Sequence, residues 1–199
     1  AGISPNDVDT VLLTHGHPDH IGGLLDAEGL PVFQRAELHL HPLEAQYWHD
    51  DERFNVANER GQRNFNLARR TLNAYARQLR LLDEGEITEG ILPVWLPGHT
   101  PGHTGFRITS GDQCLLIWGD IVHFPHIQAA RPDVSIIFDC DPLQAEETRK
   151  KVLAQAASEK LLVAGMHLDS LGFANVLKAD QGYRLAWREN DCSQGEIDK

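Results

Sequence analysis

The chain has 199 residues, 29 of them acidic and 18 basic, so its formal net charge is −11. This length fits one domain with a substantial core, and the ordinary hydrophobic share of 41% argues against a disordered or fibrous chain. No apolar run is long enough to span a bilayer, and the acidic balance argues against nucleic acid, because phosphate contacts need clustered Lys and Arg. Three cysteines without a CxxC pair indicate no thiolate zinc site. Eleven histidines are the unusual feature of the composition.

The first half of the chain alternates predicted strands and helices. The apolar, β-branched run 8–14 predicts a buried strand that leads into a histidine-rich loop and a short helix. A second strand is expected over 36–41, followed by a helix over 42–48 that begins at a proline. Over 59–82 the apolar residues step by three and four, which predicts one long amphipathic helix. The arginines of this helix favour a solvated face, with coverage of an active site or a partner subunit as the alternatives.

The second half is richer in predicted strands. The expected elements are strands at 91–96, 105–109 and 113–118, a helix from 142 to 157, a strand at 160–165, and a hairpin of 175–178 and 183–187. Strands and helices interleave throughout, and no linker or repeat interrupts them. We therefore predict an α/β or α+β fold and a single domain that covers residues 1–199.

Four potential metal ligands lie within six residues directly after the first predicted strand. They are His15, His17, Asp19 and His20. A continuous strand cannot aim all four at one point, because its side chains alternate between two faces, but a tight loop with Gly and Pro between them can. Imidazole and carboxylate ligands without thiolates suit zinc, iron, manganese or nickel. A single catalytic zinc takes three protein ligands, so four donors favour two metals with further ligands elsewhere in the chain.

Other potential ligands follow later predicted strands. His99 and His103 flank a turn in the sequence PGHTPGH. Asp120 ends the strand predicted at 113–118, and His167 ends the strand predicted at 160–165. Strand ends at one edge of a sheet are where α/β proteins gather their sites. We expect His99 to shape its loop or to support a ligand rather than to bind metal.

These motifs resemble the metallo-β-lactamase-fold hydrolases, whose HxHxDH signature matches residues 15–20. The resemblance extends over nearly the whole chain and implies an αββα sandwich. It implies that one metal is held by His15, His17 and His103. It implies that the other is held by Asp19, His20 and His167, with Asp120 bridging both.

Within this superfamily, the segments 116–123 and 132–139, the helix after them and the closing hairpin look like the methyl parathion hydrolase branch. That branch implies a homodimer with two divalent metals, usually zinc, although Mn, Co, Fe and Ni are compatible. It implies hydrolysis of phosphotriesters, lactones and aryl esters. A glyoxalase-II-like thioesterase, an N-acyl homoserine lactonase, a nuclease of the same fold and an inactive fragment remain as alternatives.

The dinuclear site that the resemblance implies is expected to catalyse hydrolysis. Two cations polarise a substrate oxygen and lower the pKa of a bridging water, and the resulting hydroxide attacks phosphorus or an acyl carbon. The catalytic candidates are Asp120, which would orient the nucleophile, and Asp19, a ligand first and a proton acceptor second. The residues expected to line the pocket for a small-molecule substrate are His123, Phe124, His126, Leu168 and Leu171.

The implied fold has several strands before the HxHxDH strand, whereas about thirteen residues precede the motif here. We therefore expect the chain to lack the N-terminal strands of its domain, as a fragment or a processed form. Membrane attachment is not expected. Cytoplasmic, periplasmic and secreted locations are all compatible with the sequence.

Overall fold

Two β-sheets and the helices packed against them make up the computed structural model, which describes residues 2–168 and 172–188. The helices are α1 (Pro18–Ile21), α2 (Pro42–His49), α3 (Asp51–Val56), α4 (Glu59–Ala74), α5 (Pro125–Gln128) and α6 (Pro142–Ser158). The strands are β1 (Thr10–Leu12), β2 (Glu37–Leu40), β3 (Leu79–Leu81), β4 (Ile91–Trp95), β5 (Thr104–Ser110), β6 (Gln113–Ile117), β7 (Leu162–Ala164), β8 (Phe173–Lys178) and β9 (Tyr183–Trp187). The predicted mixed α/β class is confirmed.

The smaller sheet has the order β1-β2-β3, and its strands are all parallel. Its central strand β2 buries Leu38 and Leu40 completely, and these side chains share a core with Phe65 and Leu72 of α4 and with Trp48 of α2. The apolar stripe of α4 that the sequence predicted thus faces this sheet.

The larger sheet has the order β4-β5-β6-β7-β8-β9 and is antiparallel except between β6 and β7. Its core contains Leu116 and Val163 from the two parallel strands, against Val152 and Leu153 of α6. The β6–β7 connection runs through α6, as a parallel pair requires a crossover. In the described part of the chain, no helix combines the length and apolarity that crossing a bilayer requires.

The long helix predicted over 59–82 is wrong in its last third, over 75–82. Helix α4 ends at Ala74, and the chain returns as strand β3, which pairs with β2. The side-chain amide of Gln78 donates to the carbonyl oxygens of Phe33 and Ala36, which fixes the turn before β3. Leucines three residues apart suit a helix or a short strand, and here pairing with a buried neighbour decides between them.

The two sheets meet beside the end of β1. The backbone N–H of Thr104, at the start of β5, donates to the carbonyl oxygen of Thr14 at 2.9 Å. The loops that follow β1, β4, β6 and β7 come together near this contact, since each carries candidate metal ligands that lie in two compact groups.

Candidate metal centre

Two groups of potential metal ligands lie side by side at these strand ends. The three-histidine group consists of His15, His17 and His99, and the two-aspartate group consists of Asp19, His20, Asp120 and His167. Within each group the ligand atoms lie within 4.8 Å of one another. Six of the seven residues predicted to bind metal are thus brought together, and His99 replaces the seventh.

The three-histidine group has an arrangement that suits a cation. His17 Nδ1 lies 3.0 Å from both His15 Nε2 and His99 Nε2. The outer ring nitrogens are occupied elsewhere, because His99 Nδ1–H donates to Asp139 Oδ1 at 2.9 Å and His15 Nδ1 lies 3.0 Å from Thr14 Oγ1. A carboxylate behind a histidine fixes its tautomer, and so leaves the lone pair of His99 Nε2 directed into the group.

The prediction that His103 binds metal is corrected by the geometry. Both of its ring nitrogens serve the backbone: Nδ1–H donates to the carbonyl oxygen of Leu96 at 2.9 Å, and Nε2 accepts from the N–H of Asp120 at 3.0 Å. His103 therefore has no lone pair free for a cation. It supports the loop that carries Asp120, while His99 lies with His15 and His17 in the group where the sequence interpretation expected His103.

Asp120 lies between the two groups. Its Oδ2 is 3.1 Å from His167 Nε2 and 3.2 Å from His20 Nε2 in its own group. The same oxygen is 3.6 Å from His99 Nε2 and 3.8 Å from His15 Nε2 in the three-histidine group. Its other oxygen, Oδ1, is buried and has no hydrogen-bond partner among the described residues. A buried carboxylate oxygen without a donor is costly, and a bound cation would satisfy it.

Asp19 is the accessible member of the two-aspartate group. Its Oδ2 lies 3.4 Å from His167 Nε2 and 3.5 Å from His20 Nε2, yet its side chain is 58% exposed. This carboxylate can therefore contact both the site and bulk water.

The electrostatics of the three-histidine group favour a cation, whereas in the two-aspartate group burial lowers the pKa of His20 but its hydrogen bond to Asp120 outweighs this and raises it, so metal binding there would displace a proton. Burial, together with the neighbouring histidines, lowers the pKa of His17 to about 3 and holds the pKa of His15 well below its usual value. Burial acts to raise the pKa of Asp120, but hydrogen bonding to His20 outweighs it and lowers that pKa. Neutral imidazoles beside an ionised carboxylate are the protonation states that metal binding requires, so this donor set fits divalent metal ions.

A cavity of about 390 Å³ opens onto the centre. It is lined by His17, Pro18, Asp19, Arg60, Asn64, His99, Asp120, His123, Phe138 and His167. A larger cavity of about 690 Å³ lies beside α6, β8 and β9, and none of its lining residues belongs to either ligand group. The chemistry of the donors, rather than volume, therefore identifies the site.

The residues predicted to line the pocket fall into two places. His123 lines the 390 Å³ cavity, with its ring stacked on that of His167 at 3.7 Å between centroids. An adjoining cavity of about 230 Å³ contains Phe124, His126 and Leu168. Leu171 lies outside the described residues.

Helix α4 supplies pocket residues that the sequence interpretation missed. Arg60 and Asn64 line the cavity from its first turns, and the guanidinium carbon of Arg60 lies 4.8 Å from the ring centroid of Phe138. The charge pattern predicted that Arg60 lies on a solvated helix face. The alternative prediction, that this helix covers the active site, would have identified Arg60 as a pocket residue.

Comparisons with known proteins agree with this geometry. The sequence profile of the metallo-beta-lactamase superfamily matches residues 1–167. A comparison with curated proteins gives no match. Among solved structures, AidC, described as a dizinc quorum-quenching lactonase in complex with a product, has a TM-score of 0.88 at 28% identity, over 95% of this chain and 67% of that one.

Two further structures are similar. The hydrolase AbOPH, placed in the beta lactamase superfamily, has a TM-score of 0.85 at 30% identity, over 95% of this chain and 67% of that one. A probable metal-dependent hydrolase from Staphylococcus aureus has a TM-score of 0.75 at 24% identity, over 95% and 65%, which supports the fold alone. The chain thus spans about two thirds of the length of these structures. The match to the superfamily profile over residues 1–167 shows that the chain belongs to the metallo-beta-lactamase superfamily, and its fold and HxHxDH loop agree with this.

Proposed function

We propose that the protein is a dinuclear metal-dependent hydrolase of small esters, lactones or phosphotriesters. The observation that carries the proposal is the position of Asp120, whose Oδ2 lies within 3.8 Å of ring nitrogens from both ligand groups. A carboxylate within reach of two adjacent donor sets would help to hold a metal ion in each of them, as a two-metal hydrolytic site requires.

The seven residues of the two groups would hold the metals. Bound there, two divalent cations would supply Lewis acidity and lower the pKa of a water molecule. Asp120 would orient that water from its buried position. Asp19 would accept a proton and pass it to solvent through its exposed side. His123 and Arg60 border the cavity, where they would orient the substrate and limit its access to water.

Zinc is the proposed metal, because AidC is described as a dizinc enzyme and the donor set contains nitrogen and oxygen atoms that zinc accepts. Two substrate classes have support of different kinds. The resemblance of segments 116–123 and 132–139 favours a phosphotriesterase like methyl parathion hydrolase. The similarity to AidC favours a lactonase. A homodimer and a single domain over residues 1–199 are part of the same proposal.

The test is a substrate panel on the zinc-loaded protein and on its isosteric variant Asp120→Asn. The panel contains an aryl ester, an unsubstituted lactone, an N-acyl homoserine lactone, an aryl phosphotriester and a thioester. We expect turnover of at least one oxygen ester, lactone or phosphotriester, and a loss of at least about 100-fold in kcat in the variant, because the carboxylate orients the nucleophile.

The control is the variant Glu159→Gln, which changes a partly exposed ion pair with Arg107 and a hydrogen bond from Gln155, both remote from the two ligand groups, and should keep full activity. Hydrolysis of the thioester alone would move the assignment to the thioesterase alternative. A zinc-loaded chain that hydrolyses no member of the panel contradicts the proposal.

A further inference from the structure

A buried carboxylate beside the metal centre is not part of either ligand group. Glu44, in the first turn of α2, is completely buried. Its Oε1 accepts from the backbone N–H of Gly16 at 2.9 Å and from Trp48 Nε1–H at 2.8 Å. Its Oε2 accepts from the hydroxyl of Thr100 at 2.6 Å and from the backbone N–H of Gly102 at 3.1 Å. Each oxygen is thus satisfied by two donors.

Three of these donors belong to the loops that carry the three-histidine group. Gly16 stands between His15 and His17, and Thr100 directly follows His99. One carboxylate therefore ties the loop after β1 and the loop after β4 to the same helix. Hydrogen bonds to an ionised acceptor are stronger than neutral ones, and in a buried site their geometry is strictly held.

The two loops approach α2 so closely that only glycine fits at the contacts. A Cβ on Gly102 would lie 2.2 Å from the backbone nitrogen of Glu44, and a Cβ on Gly16 would lie 2.3 Å from Trp48 Nε1. Any larger side chain at Gly16 or Gly102 would therefore push its loop away from the helix. The position of Glu44 therefore determines where the backbone beside the histidine ligands lies.

We infer that Glu44 is a positioning residue, which sets the geometry of the three-histidine group by fixing its two loops against each other. The inference rests on the proposed metal site. None of the four hydrogen bonds of Glu44 involves a residue of the two-aspartate group. Loss of the carboxylate should therefore weaken one metal position more than the other, whereas a general loss of stability would weaken both.

The test is a cobalt(II) titration of the metal-free protein, followed by visible absorption, with wild type compared with Glu44→Gln. The amide NH₂ of glutamine fits best at the Oε2 position, where the Thr100 hydroxyl can turn to accept from it. The N–H of Gly102 then loses its acceptor, so the loop carrying His99 moves. We expect the variant to bind one ion with wild-type affinity and the other about tenfold or more weakly, with an altered absorption spectrum.

Two variants of Thr100 leave the buried carboxylate of Glu44 in place. Thr100→Val removes one donor to Glu44 and should weaken binding of the same ion, whereas Thr100→Ser keeps the hydroxyl and should bind both ions as the wild type does. Tyr75→Phe is the matched control for stability, because Tyr75 is equally buried in the core that contains Trp48 and its hydroxyl is hydrogen-bonded to Leu24 and Phe33. It should leave both cobalt affinities unchanged.

The outcomes separate this inference from the proposed function. If the wild type binds no cobalt, the metal site itself fails and Glu44 has nothing to position. If the wild type binds two ions and Glu44→Gln binds both identically, only the role of Glu44 is overturned. Equal weakening in Glu44→Gln and Tyr75→Phe also overturns it, because the effect would then come from lost stability.

Discussion

At the scale of single residues, the two histidines of the loop after β4 have opposite roles although they lie four residues apart. His99 directs Nε2 toward His17 and Asp120 and is held from behind by Asp139. His103 uses both ring nitrogens to hold backbone groups. The neighbour of each ring, rather than its residue type, therefore decides which histidine offers a lone pair.

This difference predicts distinct effects of two matched truncations. His99→Ala should remove one of two bound metal ions, because it takes a donor from the three-histidine group. His103→Ala should keep both ions and lower the free energy of unfolding by about 1–3 kcal/mol, since it leaves buried backbone groups unpaired. Metal analysis and urea denaturation of both variants check this. Loss of an ion in His103→Ala with full retention in His99→Ala would restore the original assignment.

At the scale of secondary-structure elements, helix α6 supports the metal centre from a distance. Its fully buried Arg149 donates to the carbonyl oxygens of Ile121 at 2.6 Å and of Val134 at 2.9 Å, and to Asp139 Oδ2 at 3.2 Å. Asp139 in turn holds His99. Through Arg149 the helix thus holds the segment after Asp120, and through the carboxylate of Asp139 it helps to hold the ring of His99.

Replacement of this arginine should be costly. Arg149→Met keeps much of the side-chain volume but leaves Asp139 as a buried carboxylate without its cation, which typically costs about 3–5 kcal/mol. We expect a loss of this size in urea denaturation. The exposed variant Arg131→Met, which breaks the surface pair with Asp133, should lose far less stability, because solvent screens an exposed ion pair. A similar small loss in both variants would mean that α6 does not anchor the centre.

The sequence patterns predicted some of these elements well and others poorly. Helix α2, helix α6 and the β8–β9 hairpin were predicted because proline starts and apolar periodicity are local signals. The HxHxDH loop and Asp120 were found because ligands collect at strand ends. The end of α4 and the choice of His99 over His103 were missed, because they depend on pairing and ring direction across distant segments.

The role of Glu44 was likewise not predictable from local sequence patterns. Its spacing of four residues from Trp48 places both on one helix face, and this was the local sign of a buried acid. Its acceptance of hydrogen bonds from Thr100 and Gly102, more than fifty residues away, is visible only in the folded chain. Local pattern therefore indicated most of the candidate ligands that the structure brings together, and tertiary structure was needed to find the groups that hold them in place.

At the scale of the whole molecule, the pairing of charged side chains bears on our expectation that nucleic acid is not a partner. Several arginines that the sequence placed on the long predicted helix are paired with acids: Arg63 with Glu59, Arg69 with Asp51 and Arg80 with Glu37. These ion pairs and the net charge of −11 are the basis of that expectation, because phosphate contacts need clustered, unpaired Lys and Arg. Arg60, at the cavity, is placed to contact a single substrate group.

In the proposed function both ligand groups bind metal and share Asp120. The most direct measurement is the number of zinc ions that remain bound per chain after zinc loading and gel filtration, in wild type and in Asp120→Ala. Because the carboxylate serves both positions, we predict two ions in the wild type and fewer than one in the variant. A wild-type chain that retains no zinc, or a variant that retains as much as the wild type, would contradict the proposal that both groups bind metal and share Asp120.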